Sequence, residues 1–164
     1  NYCHRNNIIF ESKKITINKN LNIENEARKK RYDFYEEIIK KYQAKYLFLA
    51  HHGDDLIETI IMKIIRGSNL DGYAGIKKIT QRKNYFIVRP LLEYTKKDLI
   101  KYNETNKIKY FTDYSNFDQK FTRNRIRQNI LPELKKENAN VHKMFLKYSL
   151  TIQEYNKYIV FLNC

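Results

Sequence analysis

The sequence predicts an α/β protein: a parallel sheet followed by a helical portion. Three observations carry this. Strand-like and helix-like segments alternate along the chain before giving way to helices alone. Tyr46 to Ala50, "YLFLA", is a short continuous apolar run, the mark of a strand covered on both faces. Beyond it, the pairs Leu56/Ile57, Ile60/Ile61 and Ile64/Ile65 recur every four residues, the period of a helix with one buried side.

Each element has its own local reason. Asn6 to Asn18, "NNIIFESKKITIN", reads as one or two short strands, because Ile15 and Ile17 alternate with polar neighbours. "NIENEARKKRYDFYEEIIKKYQ" reads as a helix with Asn22 as N-cap and an apolar stripe of Ala27, Tyr32, Tyr35, Ile38 and Ile39. After the apolar run, a helix is expected from about Asp54 to Arg66, closed by Gly67. "NLDGYAGI" is a glycine-punctuated loop, and "NYFIVRPLL" a further strand ending at Arg89-Pro90. Thr95-x-x-Asp98 opens the next helix in the manner of a capping box. "YFTDYSNFDQKF" is polar and turn-rich. "TRNRIRQNILPEL" begins a helical region that runs on toward the C-terminus. No internal repeat stands out.

A chain of 164 residues makes one domain, or one and part of another. At 42% hydrophobic residues it is not disordered by composition. Its net charge of +14 favours a polyanionic partner, most simply nucleic acid. Asn, Lys, Ile and Tyr are all abundant, however, as in proteins of A+T-rich genomes, and that bias by itself inflates the lysine count. Cys3 and Cys164 form no C-x-x-C pair, which excludes a cysteine zinc site and a disulfide framework and fits a reduced, cytoplasmic setting. No apolar run approaches the ~20 residues that cross a bilayer. The chain opens without an initiator Met, which reads as a fragment of a longer protein.

The chemistry concentrates in "HHGDDLIET", His51 to Thr59. In open α/β sheets ligands bind where strands end and helices begin, and this segment lies at such a junction. Asp55 lies three residues before Glu58, and Asp54 four before it, so these carboxylates share a helix face. Set there, they suit a magnesium ion, an ammonium group, or both. The same acids also satisfy a helix N-terminus, where the dipole favours negative charge. The paired histidines have no evident packing reason and tip the balance toward a site. Two basic clusters accompany the acids. Arg28 and Arg31 are three apart on one helix, and Arg123 and Arg127 are four apart on another, with Arg125 turned away. Arginine so placed can fork onto phosphate oxygens, or face solvent. His4 and His142 stand alone and read as surface residues.

In order from about Ile23 to Leu134, "NIENEARKKRY", "LFLAHHGDDLIETIIMKIIRGSNLDGYAGI", "VRPLLEYTKKDLIKY" and "TDYSNFDQKFTRNRIRQNILPEL" resemble the tRNA(Ile)-lysidine synthase family. The specific parts are His-His-x-x-Asp-x-x-Glu-Thr with Arg66-Gly67, and Asn116 to Arg127 with Arg123-Asn124-x-x-Arg127. The resemblance implies an N-type ATP pyrophosphatase with a Rossmann-like, adenine nucleotide alpha hydrolase-like sheet. It implies residues 1–132 as the C-terminal part of the nucleotide-binding domain and 133–164 as a helical extension that begins a second one. It implies ATP and Mg²⁺ as cofactors, isoleucine tRNA and free lysine as partners, and no membrane. In the implied reaction ATP adenylates the C2 oxygen of the wobble cytidine, releasing pyrophosphate. The lysine amine then attacks C2 and expels AMP.

Carried onto this chain, the resemblance makes Asp55, Glu58, His52 and Arg31 catalytic, with Asp55 also open to Mg²⁺. His51, Arg28, Arg66, Arg123, Arg125 and Arg127 bind nucleotide or substrate. The family's Ser-Gly-Gly-x-Asp-Ser loop does not occur in this chain, whose four glycines all lie between Gly53 and Gly75. The sheet is therefore expected to be incomplete at its N-terminus, leaving an edge at which two copies can pair, and the fragment alone to be inactive. Rival readings are a tRNA cytidine thiolase of the same superfamily, which normally carries paired cysteines, a metal-dependent phosphohydrolase, suggested by "HHGDD", and a non-catalytic basic RNA-binding module.

Overall fold

The computed structural model of the chain describes residues 2–17, 23–111 and 119–162. The expected N-cap at Asn22 and most of "YFTDYSNFDQKF" lie outside the described residues. The chain divides into two compact units, Asn1–Leu47 with Gln81–Ile87, and Phe48–Thr80 with Val88–Cys164.

In the first unit, helix α1 (Tyr2–Arg5) is followed by residues 8–17, which form no strand, and then by the long helix α2 (Ile23–Tyr42). The expected strand at Asn6 to Asn18 is thus corrected. Local alternation is present, but a strand needs a partner ladder, and these residues are held by side chains of α2 instead. Glu11 accepts from Lys41 Nζ and the Tyr42 hydroxyl, both at 2.5 Å. Lys13 bonds Glu37 at 2.6 Å, and Lys30 donates to the Thr16 carbonyl. Ile9 and Phe10 stay exposed. The end of α2 closes on Gln43, which takes a positive φ of 50°. The Ala44 N–H reaches the Ile39 carbonyl and the Gln43 N–H the Lys40 carbonyl, the double bond of a Schellman closure.

Three short strands, β1 (Tyr46–Phe48), β2 (Ile79–Gln81) and β3 (Phe86–Val88), form one sheet in the order β1-β3-β2. Phe86 N–H donates to the Lys45 carbonyl and Leu49 N–H to the Val88 carbonyl, so β1 and β3 run parallel, as expected. Arg82 N–H bonds Tyr85 and Arg89 N–H bonds Lys78, so β2 and β3 are an antiparallel hairpin. The sheet is mixed, which corrects the all-parallel expectation. β1 is also not covered on both faces: Tyr46 and Phe48 are 58% and 65% exposed.

The second unit is built around helix α3 (Gly53–Arg66). Its apolar side packs in two directions. Leu56 and Ile60 meet Leu92, Ile76, Phe145 and Leu146. Ile57 meets Leu131, Val141, Ile61, Leu134 and Phe145. The stripe fades in the last turn, where Ile64 and Ile65 are exposed. The expected loop after Gly67 contains a short helix α4 (Leu70–Tyr73), capped by Asn69. Gly75 then turns with φ 69°, and a Cβ there would lie 2.7 Å from Ile60 Cγ1. Arg89, buried, donates to the Lys77 carbonyl and to Thr80 Oγ1. A 3₁₀ turn (Pro90–Glu93) leads to helix α5 (Lys96–Thr105), which opens with the expected Thr95/Asp98 capping box.

The last helical region comprises α6 (Thr122–Arg125), a π-helical turn (Ile126–Ile130), α7 (Leu131–Glu137) and α8 (Val141–Leu162). Pro132 has no N–H to donate and would clash with a carbonyl four residues earlier. The chain widens just ahead of it, and the Leu131 N–H bonds the Ile126 carbonyl five residues back. α3 packs against α4, α8 and this widened segment.

Candidate active site

All of the site's groups described here lie in the second unit. They assemble at the start of α3, just beyond β1. His52 is the N-cap. Asp55 N–H faces His52 Nδ1 at 3.4 Å, and the His52 N–H donates to Asp55 Oδ2 at 3.0 Å, a reciprocal capping box with His and Asp in place of the usual Ser and Glu. The capping reading therefore holds for Asp55 but not for Glu58, and the expectation that the histidines lack a structural reason is corrected for His52, which is the N-cap.

Glu58, one turn on, does something that capping does not require. It is fully buried, and Arg127 grips it with both arms: Nε to Oε1 at 2.6 Å and a terminal nitrogen to Oε2 at 2.9 Å. The same Arg127 reaches Asp55 Oδ1 at 3.3 Å. Arg123 sits one helical turn before it, with Nε 3.7 Å from Glu58 Oε2 and a terminal nitrogen donating to Thr59 Oγ1 at 3.2 Å. Arg127 belongs to the π-helical turn, a feature frequent at functional sites. Asp54, also buried, accepts from Lys135 Nζ at 2.8 Å and from the Lys96 N–H at 3.3 Å, tying α3 to α5 and α7.

Burial moves the protonation equilibria here. It pushes the His52 imidazole below its ordinary 6.5, against the pull of Asp55 and Asp54 and with help from Arg127 and Lys96. It lifts the Glu58 carboxyl above its ordinary 4.5, opposed by Arg127. Arg127 is held above its ordinary value by Glu58, Asp55 and Asp54, which outweigh its own desolvation. The result is an imidazole whose charged form is disfavoured, set beside an anion–cation cluster.

Of the residues singled out in the sequence, Asp55, Glu58, His52, Arg123 and Arg127 come together. His51, half-buried, directly precedes His52. Arg125 points elsewhere, donating to the Gln119 and Lys120 carbonyls. Arg66 lies at the far end of α3, exposed and ~16 Å along the axis from Asp55. Arg28 and Arg31 belong to α2 in the other unit, where Arg28 lies 5.5 Å over the Tyr32 ring. His142 is buried, 6% exposed, with its Cβ set to touch any side chain at Gly53, which corrects its surface assignment. Sequence reasoning passed over Lys135, which has no signal short of the folded contact to Asp54, and named Thr59 only as part of the motif.

Asp55 is the carboxylate left to meet a magnesium ion, since Glu58 is taken up by Arg127 and Arg123. Among the described residues no group of three or more His, Cys, Asp or Glu could hold a metal.

Residues 1–134 match the PP-loop domain. The chain belongs to the PP-loop domain family. That family uses ATP, and its fold is adenine nucleotide alpha hydrolase-like. The PP-loop chain is similar to the tRNA(Ile)-lysidine synthase of Bacillus cereus, 41% identical over 96% of this chain and 34% of the relative. It is 40% identical to the enzyme of the same name from Bacillus subtilis, over the same shares. A bifunctional protein TilS/HprT of Listeria innocua is 37% identical over 90% of this chain and 24% of its own length. The chain thus spans about a third of the length of the tRNA(Ile)-lysidine synthases it matches. No helix among the described residues is long and apolar enough to cross a membrane.

Proposed function

We propose that this PP-loop chain is part of a tRNA(Ile)-lysidine synthase, which ligates free lysine to C2 of the wobble cytidine of isoleucine tRNA at the expense of ATP. The observation that carries the proposal is the cluster of Asp55, Glu58, Arg123 and Arg127 beside a neutral His52. Similarity over 96% of the chain to proteins bearing that name supports it.

The chemistry asks for three things. An amide-like C2–O bond must be activated. The cytidine oxygen attacks the α-phosphorus of ATP and pyrophosphate leaves, so cations must offset dense negative charge. Lysine must then be seated by its charged groups, and its attacking amine must lose a proton as AMP departs. Asp55, 14% exposed at its side chain, is the less buried of the two carboxylates. A carboxylate has about four acceptor directions, so it can take an ammonium beyond its two present partners. Glu58 is wholly buried and acts through Arg127 and Arg123, whose outer nitrogens face phosphate or the substrate carboxylate. His52, kept neutral by burial and with Nδ1 turned to the Asp55 N–H, offers its other ring nitrogen as a donor, and the amine proton leaves to solvent as AMP departs. Magnesium, when present, travels with the ATP phosphates and neutralises them.

The sequence contains no Ser-Gly-Gly-x-Asp-Ser string, so residues 1–164 alone are expected to show no ATP turnover. The test is therefore a chimaera in which this chain replaces the aligned third of the Bacillus subtilis relative. ATP-dependent incorporation of labelled lysine into isoleucine tRNA is expected. A folded chimaera that incorporates none contradicts the proposal.

A further inference from the structure

The mechanism leaves one strongly charged region unused, and it lies wholly within the first unit. Where α2 ends, Lys40 and Lys45 face the hairpin residues Arg82 and Lys83 across a groove of about 750 Å³, floored by Ile39 and the buried ring of Tyr85. Two stretches some forty residues apart in sequence thus place four cations around one hollow. None of the four has an ion-pair partner among the described residues, whereas neighbouring Lys41 and Lys13 are neutralised by Glu11 and Glu37. Among the described residues, the only carboxylate lining the groove is Glu36. Arg82 also lines an adjoining hollow of about 260 Å³ with Arg28, Lys29 and Tyr32. The two hollows therefore form one track: six cationic side chains against one carboxylate.

We propose that this track binds the sugar-phosphate backbone of RNA. The inference rests on the lysidine synthase reading for its partner and goes beyond it by naming a second binding surface, separate from the Asp55/Glu58 cluster. A lone phosphate needs one hollow. A continuous cationic path with a shared arginine suits a polyanion whose charges repeat along a strand. Lysine and arginine held in this way fix register on a backbone without reading sequence. The genome-bias explanation of the lysine count accounts for many lysines, but not for leaving these unpaired around one groove.

The experiment uses the full chain and an isoleucine tRNA transcript, with a second tRNA as comparison. Binding is measured across a salt series for the unaltered chain, for Arg82→Gln/Lys83→Gln/Lys40→Gln, and for Lys101→Gln/Lys143→Gln/Lys147→Gln, which removes equal charge from exposed sites elsewhere. The groove variant is expected to bind both tRNAs roughly tenfold or more weakly near 0.1 M salt. Its slope of log K against log salt should be shallower by about 0.7–0.9 for each phosphate that the track no longer neutralises. The control variant should change far less. Equal losses in the two variants, with circular dichroism unchanged, would overturn the track as a site and leave only net charge. An unaltered chain that binds no tRNA at all overturns both this inference and the reading it rests on, whereas binding unaffected by the groove variant overturns this inference alone.

Discussion

Glu58 holds Arg127 from a position that no solvent reaches, and that sets what its removal costs. Glu58→Gln keeps the shape but leaves the half-buried Arg127 guanidinium short of its counter-charge. Loss of one partner from a buried pair costs about 3–5 kcal/mol. Urea titration should show a loss of that order, while Asp55→Asn, which keeps an oxygen for the His52 N–H, should cost about 1 kcal/mol. Gly75 is a second sensitive residue. Its positive φ and the 2.7 Å approach to Ile60 leave no room for a methyl group, so Gly75→Ala should unfold well below the parent in a thermal melt. The histidines set a pH response. Burial holds His52 and His142 below 6.5 in the fold, so the unfolded chain binds their protons more tightly. Their contribution is present above pH 6.5 and is lost as pH falls below it. His142→Gln removes one of the two protons from that balance. Between about pH 7.5 and 5 the variant should therefore lose less stability than the parent.

At the scale of elements, legibility followed sequence distance. The α5 cap could be read because a capping box spans four residues and Thr95/Asp98 closes within that span; the His52/Asp55 box of α3 has the same span but was missed, because His stands where Ser or Thr is usual. The common face of Asp55 and Glu58, and that of Arg123 and Arg127, followed from helical spacing. That the two faces clasp each other did not, since residues 58 and 127 are joined only by tertiary packing. The hairpin of β2 and β3 was missed because its turn, Lys83-Asn84, is not one of the glycine-containing pairs that announce a hairpin. The strand expected at 6–18 failed for the converse reason: alternation is local, pairing is not. Helix closure is unusual in its residues. Gln43 and Lys107 both adopt positive φ where glycine is the common choice. Lys107→Gly should raise stability by about 0.5–1 kcal/mol, read as a higher urea midpoint.

For the molecule as a whole, the second unit is a single packed body around α3, with Phe145 of α8 touching both of its apolar clusters. The site is therefore supported from the far side by the helix that follows it. Ile60→Ala, deep in that support, should cost about 2–5 kcal/mol and loosen the Arg127 clasp with it. The family was legible in the sequence because its two motifs are local strings. What the acids and arginines do to one another was legible only in the fold.

The acids at the head of α3 either serve chemistry or merely end a helix. The direct measurement is lysine incorporation by the chimaera carrying Asp55→Asn, alongside its unfolding midpoint. A fall of about 100-fold or more in incorporation with the midpoint nearly unchanged is expected. Incorporation that survives Asp55→Asn, or that declines only in step with stability, would mean that Asp55 is a cap and nothing more.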